Sequence, residues 1–347
     1  MARLAIFLVG IPYCVVAIPY TSWLSGFQKT LLVNLPILPG SHDSHAVSVS
    51  DSADWQAQTG WDYFQTQTLS IREQLDLGIR FLDLRLHVYL DVIDIEDSVV
   101  LSHTYDTNLT LSEALSDVKD FLTANPTEFV ILYLRIDFEH PLKGDVTSKQ
   151  EFVRDTIIDS GVSIAAYSNS DIKTLLVSSL AGKVLILGPN GVVLPPSSSA
   201  FTYVDSSTGY SVCAIWEEST VSKAQGVLAG CFPTVPVSGT VSGMITGYAI
   251  DGSLNNVPPV DTSLVMNDWF FGQFDNNSKW VARTKYPVGV VLINFVSEAY
   301  MSEMVGHALG ISEVEVNTSD SDIDVKAGSH MLFQTTLLGV IALVVLC

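Results

Sequence analysis

The chain has 347 residues, 48 % of them hydrophobic, enough for one large α/β barrel or two ordinary domains with a sizeable core. Its 17 basic and 37 acidic residues give a formal net charge of −20, which argues against binding a nucleic-acid backbone or a strongly anionic membrane. An anionic ligand needs a local basic pocket here, and an arginine set among carboxylates can supply one.

In chain order, Arg3 precedes an apolar run from Leu4 to Ala17, with Val15 and Ala17 suited to the −3 and −1 positions of a cleavage site. Residues 1–17 are therefore expected to be a secretory signal peptide, too short for a comfortable membrane span. Leu31 to Leu38 reads as a first strand ending at Pro39-Gly40. Ser70 and Glu73 form a capping box for a helix that Gly78 ends. Ile79 to Leu86 alternates like a strand, with Arg80, Asp83 and Arg85 as its polar members.

Val99 to Ser102 is a shorter strand, and Thr110 with Glu113 caps a helix whose Leu111, Leu115, Val118 and Leu122 form one apolar face. Phe129 to Leu134 is strand-like with Arg135 at its end, and Ser148 with Glu151 suggests another capping box. Further strands are expected at Val184 to Leu187, Ser211 to Trp216 and Val288 to Phe295, with a helix from Glu298 to Leu309 after the last. The Pro- and Ser-rich stretch from Pro195 to Ser199 and the polar Asp251 to Pro259 read as loops.

Strands separated by helices favour parallel pairing, and seven or eight of them suit one α/β barrel over residues 18–316. An open doubly wound sheet is the alternative, but no glycine-rich phosphate fingerprint follows the first strand. At the far end, residues 317–347 combine small residues at Asn317, Thr318 and Ser319, a polar spacer and an apolar tail from Met331 to Cys347. That order matches a GPI-attachment signal, with a tail helix retained in the bilayer as the alternative.

If Cys14 leaves with the signal and Cys347 with the tail, Cys213 and Cys231 remain, either bridged in an oxidising compartment or as two free thiols. Asn108, Asn276 and Asn317 begin acceptor triplets for N-glycans.

Three strand-end elements carry the chemistry: His42-Asp43, Asp83-Leu84-Arg85 and Ser102-His103. Each has a bland reading, as a turn histidine, a structural ion pair or a surface polar. Taken together they supply more. Two imidazoles divide acid and base work near neutral pH, and an arginine binds the non-bridging oxygens of a phosphodiester. Carboxylates select an imidazole tautomer and orient the arginine.

The stretch Leu35 to Ser44, then Gly78 to Arg85, then Val100 to His103, resembles the catalytic X region of phosphatidylinositol-specific phospholipase C, most clearly over residues 31 to 136. The resemblance implies a single distorted TIM-type barrel. It also implies that His42 takes a proton from the inositol 2-hydroxyl, which attacks the adjacent phosphorus, while His103 protonates the departing diacylglycerol oxygen and Arg85 stabilises the phosphate. The product is an inositol 1,2-cyclic phosphate. Because Arg85 and Arg135 stand where calcium-using members place oxygen ligands, the resemblance implies no metal cofactor.

This chain departs from the family pattern at several positions. Asn294 stands where metal-independent members pair an aspartate with the base histidine, Thr104 follows His103 where glycine is common, and Gly188-Pro189 replaces an expected basic residue. Glu217 matches an aspartate that accepts inositol hydroxyl bonds.

The expected partner is phosphatidylinositol or its glycosylated form at a membrane surface, with no nucleic acid; no protein partner is predictable from the sequence, and the chain is expected to act as a monomer. The expected location is the outer face of the plasma membrane, GPI-anchored, or else tail-anchored or secreted. Two other functions stay open: a surface protein that binds a polyol phosphate without turnover, and a phosphodiesterase for another head group.

Overall fold

The computed structural model describes residues 4–8, 11–49, 60–91, 95–136, 145–189, 194–195, 201–206, 210–214, 220–231, 245–250, 258–276, 289–309, 331–333 and 340–346. Its main sheet contains ten strands: β1 (Ile37–Ser41), β2 (Phe81–Tyr89), β3 (Ser98–His103), β4 (Tyr105–Thr110), β5 (Phe129–Ile136), β6 (Lys183–Gly188), β7 (Val204–Asp205), β8 (Tyr210–Ala214), β9 (Ile245–Ile250) and β10 (Gly289–Ile293). Eight of these run parallel in the order β8-β9-β10-β1-β2-β5-β6-β7.

The end strands β7 and β8 follow each other in the chain, and no ladder joins them among the described residues. The sheet nevertheless curls round a common interior. Tyr210 on β8 stacks on Phe81 of β2 at 5.4 Å and lies 5.0 Å from the Tyr133 ring of β5, although β9, β10 and β1 intervene in the strand order. Helices α1 (Ile71–Asp76), α2 (Leu111–Ala124), α3 (Val146–Asp159), α4 (Val177–Leu180), α5 (Val221–Cys231) and α6 (Pro259–Asn276) lie between strands of the sheet, and α7 (Glu298–Ala308) follows the last of them.

Local chemistry accounts for most of these boundaries. Both expected capping boxes form: Ser70 and Thr110 accept from the backbone N–H groups of Glu73 and Glu113, whose carboxylates accept in return. Gly78 ends α1 at φ 105°. The first strand begins later than its apolar run suggested. Pro36 has no N–H to donate, so Leu32–Asn34 forms a 3-10 turn and pairing starts at Ile37. The cap of α3 is Asp145 rather than Ser148; the Asp145 carboxylate accepts from the Thr147 and Ser148 N–H groups.

The larger correction concerns Val99 to Ser102. This run is not a barrel strand. It lies in β3, antiparallel to β2 and β4, so a two-stranded arm branches off the barrel after Leu86. Among the elements not expected from the sequence are β4, β7, α4, α5, β9, which contains Gly247, and α6, which opens with Pro259 at its first position.

At the bottom of the barrel, Arg80 and Glu128 form a fully buried ion pair, Nε to Oε2 at 2.9 Å. The remaining Arg80 donors reach the carbonyls of Leu75, Ile79 and Tyr20, so this arginine belongs to the scaffold. Trp23 closes the same end and donates its indole N–H to Gly78 O.

Gly40 has no room for a side chain. A Cβ there would stand 2.5 Å from Leu292 Cδ2, 3.1 Å from Phe81 Cβ and 3.2 Å from Phe81 O. Gly40→Ala is expected to cost about 1–3 kcal/mol by overpacking, read as a lower urea midpoint at unchanged slope. An unchanged midpoint would refute the close approach of β1, β2 and β10.

Leu4–Leu8, Ile11–Pro19, Met331–Phe333 and Val340–Leu346 pair in a separate four-stranded antiparallel sheet. Among the described residues, no helix is long and apolar enough to cross a membrane. Cys213 on β8 is disulfide-bonded; the side chain of Cys231 lies outside the described residues, as do Glu217, Asn317 and the Asn276 side chain. Asn108 is exposed on β4.

Candidate active site

The carboxyl ends of β1, β2, β5 and β10 meet at one mouth of the barrel, and the β3–β4 arm folds over it. Asp83 and Arg85 lie two residues apart on β2 and so face the same side. Arg85 is in register with Arg135 on β5, which brings two guanidinium-bearing positions to one level of the mouth. The Arg135 guanidinium lies over the Tyr133 ring at 5.7 Å.

Asp43 is the hub of the site. Its side chain is fully buried, with Oδ1 ion-paired to Arg85 Nε, and Oδ2 3.2 Å from His103 Nε2 and 3.4 Å from His42 Nε2. Burial alone would raise its pKa, but Arg85, then His103, His42 and His45, holds the carboxyl well below the usual carboxylate range. It is therefore a fixed anion between two imidazoles.

The bonds at Nδ1 orient both rings. His42 Nδ1 lies 2.9 Å from Asn294 Oδ1, and the Asn294 amide donates to Ser263 Oγ at 3.0 Å. That amide orientation makes Oδ1 the acceptor, so His42 carries its proton on Nδ1 and presents a lone pair at Nε2. Arg85 Nη2 donates to this Nε2 at 3.1 Å, and Asp83 Oδ2 stands 3.9 Å from it.

His103 Nδ1 donates to Phe64 O at 2.7 Å, which points Nε2 toward Asp43. A proton on Nε2 as well makes His103 an imidazolium facing a carboxylate. Burial lowers the His103 pKa, Asp43 raises it, and Arg85 and His42 lower it again.

The backbone around the site is strained. Of the four non-glycine residues with positive φ among the described residues, Asp43 at 39°, Thr104 at 65° and Phe295 at 51° adjoin His42, His103 and Asn294. Such conformations cost of order ~1–3 kcal/mol each, and the surrounding bonds hold them. Thr66 Oγ1 donates to Asp43 O at 2.9 Å. Gln67 Nε2 donates to His42 O and Ile293 O, binding the ends of β1 and β10 together.

The structure thus brings together His42, Asp43, Asp83, Arg85, His103 and Asn294. His103 arrives from the arm rather than from a barrel strand. Gln67, Ser263 and His45 also belong to the site, although no sequence pattern had pointed to them.

His42, Asp43 and Asp83 bring three ligand atoms within 4.8 Å of one another. They do not fit calcium, which takes six to eight oxygen donors, because the Arg85 guanidinium already engages both Asp43 and His42.

Residues 46–146 match the family described as PI-PLC X 1, a span that includes Asp83, Arg85, His103 and Arg135. Over this segment the chain is similar to the PI-PLC X-region family. A variant-surface-glycoprotein phospholipase C from Trypanosoma brucei brucei is 46 % identical over 76 residues, covering 21 % of this chain and 19 % of that protein. A 1-phosphatidylinositol phosphodiesterase from Listeria monocytogenes is 30 % identical over 114 residues, covering 33 % and 32 %.

These alignments thus span between about a fifth and a third of the relatives' own length. Likeness of fold extends much further. The phosphatidylinositol-specific phospholipase C structure from Listeria monocytogenes superposes with TM-score 0.66 at 18 % identity, covering 84 % of this chain and 99 % of that one. The Staphylococcus aureus enzyme gives 0.62 at 13 % identity, covering 83 % and 97 %. The PI-PLC X-region fold, a distorted α/β barrel, therefore extends well beyond the segment in which sequence similarity is high.

Proposed function

We propose that the protein is a phosphodiesterase that cleaves phosphatidylinositol or glycosylated phosphatidylinositol by internal attack, releasing diacylglycerol and an inositol 1,2-cyclic phosphate. The observation that carries this reading is the pair of histidines whose Nε2 atoms meet at the buried Asp43 carboxylate, each ring fixed through its Nδ1. His42, whose unprotonated Nε2 accepts from Arg85, is proposed to receive the 2-hydroxyl proton there, and His103, once protonated on Nε2 as well as Nδ1, to give that proton to the leaving oxygen. Arg85 neutralises charge on the phosphate oxygens as phosphorus becomes pentacoordinate, and Arg135 contacts the substrate at the same level. Nucleophile and phosphorus share one molecule, which removes much of the orientation cost.

No divalent metal is required in this scheme. Glu217 is proposed to accept inositol hydroxyl bonds. Residues 1–17 are proposed to direct export, and residues 317–347 to be exchanged for a GPI anchor, with Cys213 and Cys231 forming a disulfide in the exported barrel.

Purified protein, incubated with phosphatidylinositol in detergent micelles and excess EDTA, is expected to give the phosphorus NMR signal of a cyclic phosphodiester. A linear phosphate with no cyclic intermediate would favour water as nucleophile and another reaction course. Asn294 favours a second reading, a binding protein without turnover, because an amide orients an imidazole but does not offset its positive charge. Inositol phosphate binding by folded protein that forms no product would establish that reading instead.

A further inference from the structure

Three histidines converge on Asp43, and the third has no part in the reaction just described. His45 lies three residues past His42 and is 2 % exposed. Its Nε2 is 2.8 Å from Ser102 O. A carbonyl only accepts, so Nε2 carries the proton. Burial, only partly opposed by Asp43 and the Ser102 carbonyl, lowers the pKa to about 4 and keeps the ring neutral at neutral pH. In that tautomer Nδ1 is a bare lone pair, and it has no partner among the described residues.

The place of this bond in the fold gives it meaning. The arm is tied to the barrel by the β2–β3 ladder, whose last pair is Leu86 with Leu101. Ser102 and His103 extend beyond it into a turn through Thr104 at φ 65°. The His45–Ser102 bond takes over where the ladder stops, one residue before His103.

Its own anchor is firm. Ser44 N donates to Asp83 O at 2.8 Å, Ala46 N to Asp43 O at 2.9 Å, and Thr66 and Gln67 N both to Ala46 O at 3.1 Å. A neutral donor also suits the location. A lysine or arginine there would add positive charge beside His103 and Arg85 and make the acid harder to protonate.

We propose that His45 is a positioning residue that fixes the Ser102–His103 segment at the reach from Asp43 and the substrate that proton delivery to the leaving group requires. The inference rests on the catalytic reading above.

Two substrates separate a positioning role from a merely structural one. An alkyl inositol phosphodiester, with a basic leaving oxygen, needs a general acid. An aryl ester, which leaves as a stabilised phenolate, does not. His45→Leu fills the space without a donor, and misplacing the acid by about 1 Å is expected to slow kcat on the alkyl ester by up to ~10²-fold. KM and the aryl-ester rate should stay near wild type. His45→Gln, whose amide can donate to Ser102 O, should restore much of the alkyl rate.

Equal slowing of both esters by His45→Leu, or no recovery with His45→Gln, overturns the inference alone. Absence of wild-type turnover on either ester overturns the catalytic reading as well. Should the leucine variant fail to fold, nitrogen NMR of the wild-type protein decides the matter. A neutral His45 protonated on Nε2 at neutral pH supports the inference, and an Nδ1-protonated or charged ring overturns it.

Discussion

Replacing His42 with alanine is expected to lower turnover of phosphatidylinositol by ~10²–10⁴-fold, the range for loss of a positioned general base, equal to about 2.7–5.4 kcal/mol in the barrier. The ring is buried and held on two sides, by Asn294 at Nδ1 and Arg85 at Nε2. His103→Ala should cost a similar factor on the alkyl substrate. The double variant should fall well short of the product of the two losses, since base and acid serve one concerted step.

The pH profile supplies a further check through Asp43. Its carboxylate raises the His103 pKa against burial, so in Asp43→Asn the imidazolium loses its proton at lower pH. The alkaline limb of the kcat profile must then shift toward acid. A limb that does not move, in a variant whose circular dichroism shows it folded, would exclude His103 as the acid. Near-normal turnover by His42→Ala would exclude internal attack promoted by that base.

Much of this site was legible from residue order, because its parts are local. His42 and Asp43 follow a strand end, and Asp83 and Arg85 are two apart on one strand. Strand alternation sets Arg80 and Arg85 on opposite faces but does not say which of them meets the mouth. The two lie five residues apart, Arg80 just before β2 and sealed against Glu128, Arg85 midway along β2 and open to the mouth.

The antiparallel arm was not legible either. Val99 to Ser102 is as apolar as a barrel strand, and only the pairing partner reveals its direction. The expected contact between Asn294 and His42 is present, and it joins residues 252 apart in sequence. Ser263, which fixes the Asn294 amide, sits on a helix opened by two prolines after a polar stretch that had suggested only a loop. His45 was passed over because one histidine in a turn carries no pattern. Its meaning depends on Ser102 O, 57 residues away.

Arg85→Leu should be damaging in two separable ways. In the reaction it removes a preorganised cation from the phosphate, a loss of about 10²–10³-fold in kcat by analogy with removal of one oxyanion-stabilising donor. In the fold it strands Asp43, whose carboxylate is wholly buried. Breaking a buried pair from one side costs about 3–5 kcal/mol.

The sign of the pH dependence identifies the second effect. With Arg85 present the Asp43 pKa is depressed, so the pair stabilises the fold above the ordinary carboxylate pKa and ceases to do so as pH falls through the lowered value. Without Arg85, burial dominates and drives the carboxyl upward. The stability deficit of the variant should therefore be greatest at neutral pH and shrink as acid protonates Asp43, a trend that urea unfolding at a series of pH values can measure.

The rate profile should move in the opposite sense to that of Asp43→Asn. Arg85 lowers the His103 pKa, so its loss lets His103 keep its proton to higher pH and carries the alkaline limb upward. EDTA should leave the wild-type rate unchanged, because Arg85 supplies the charge that calcium would otherwise bring. A wild-type activity abolished by chelation and restored by calcium would refute that assignment. A stability deficit independent of pH would show that Asp43 draws its support from elsewhere.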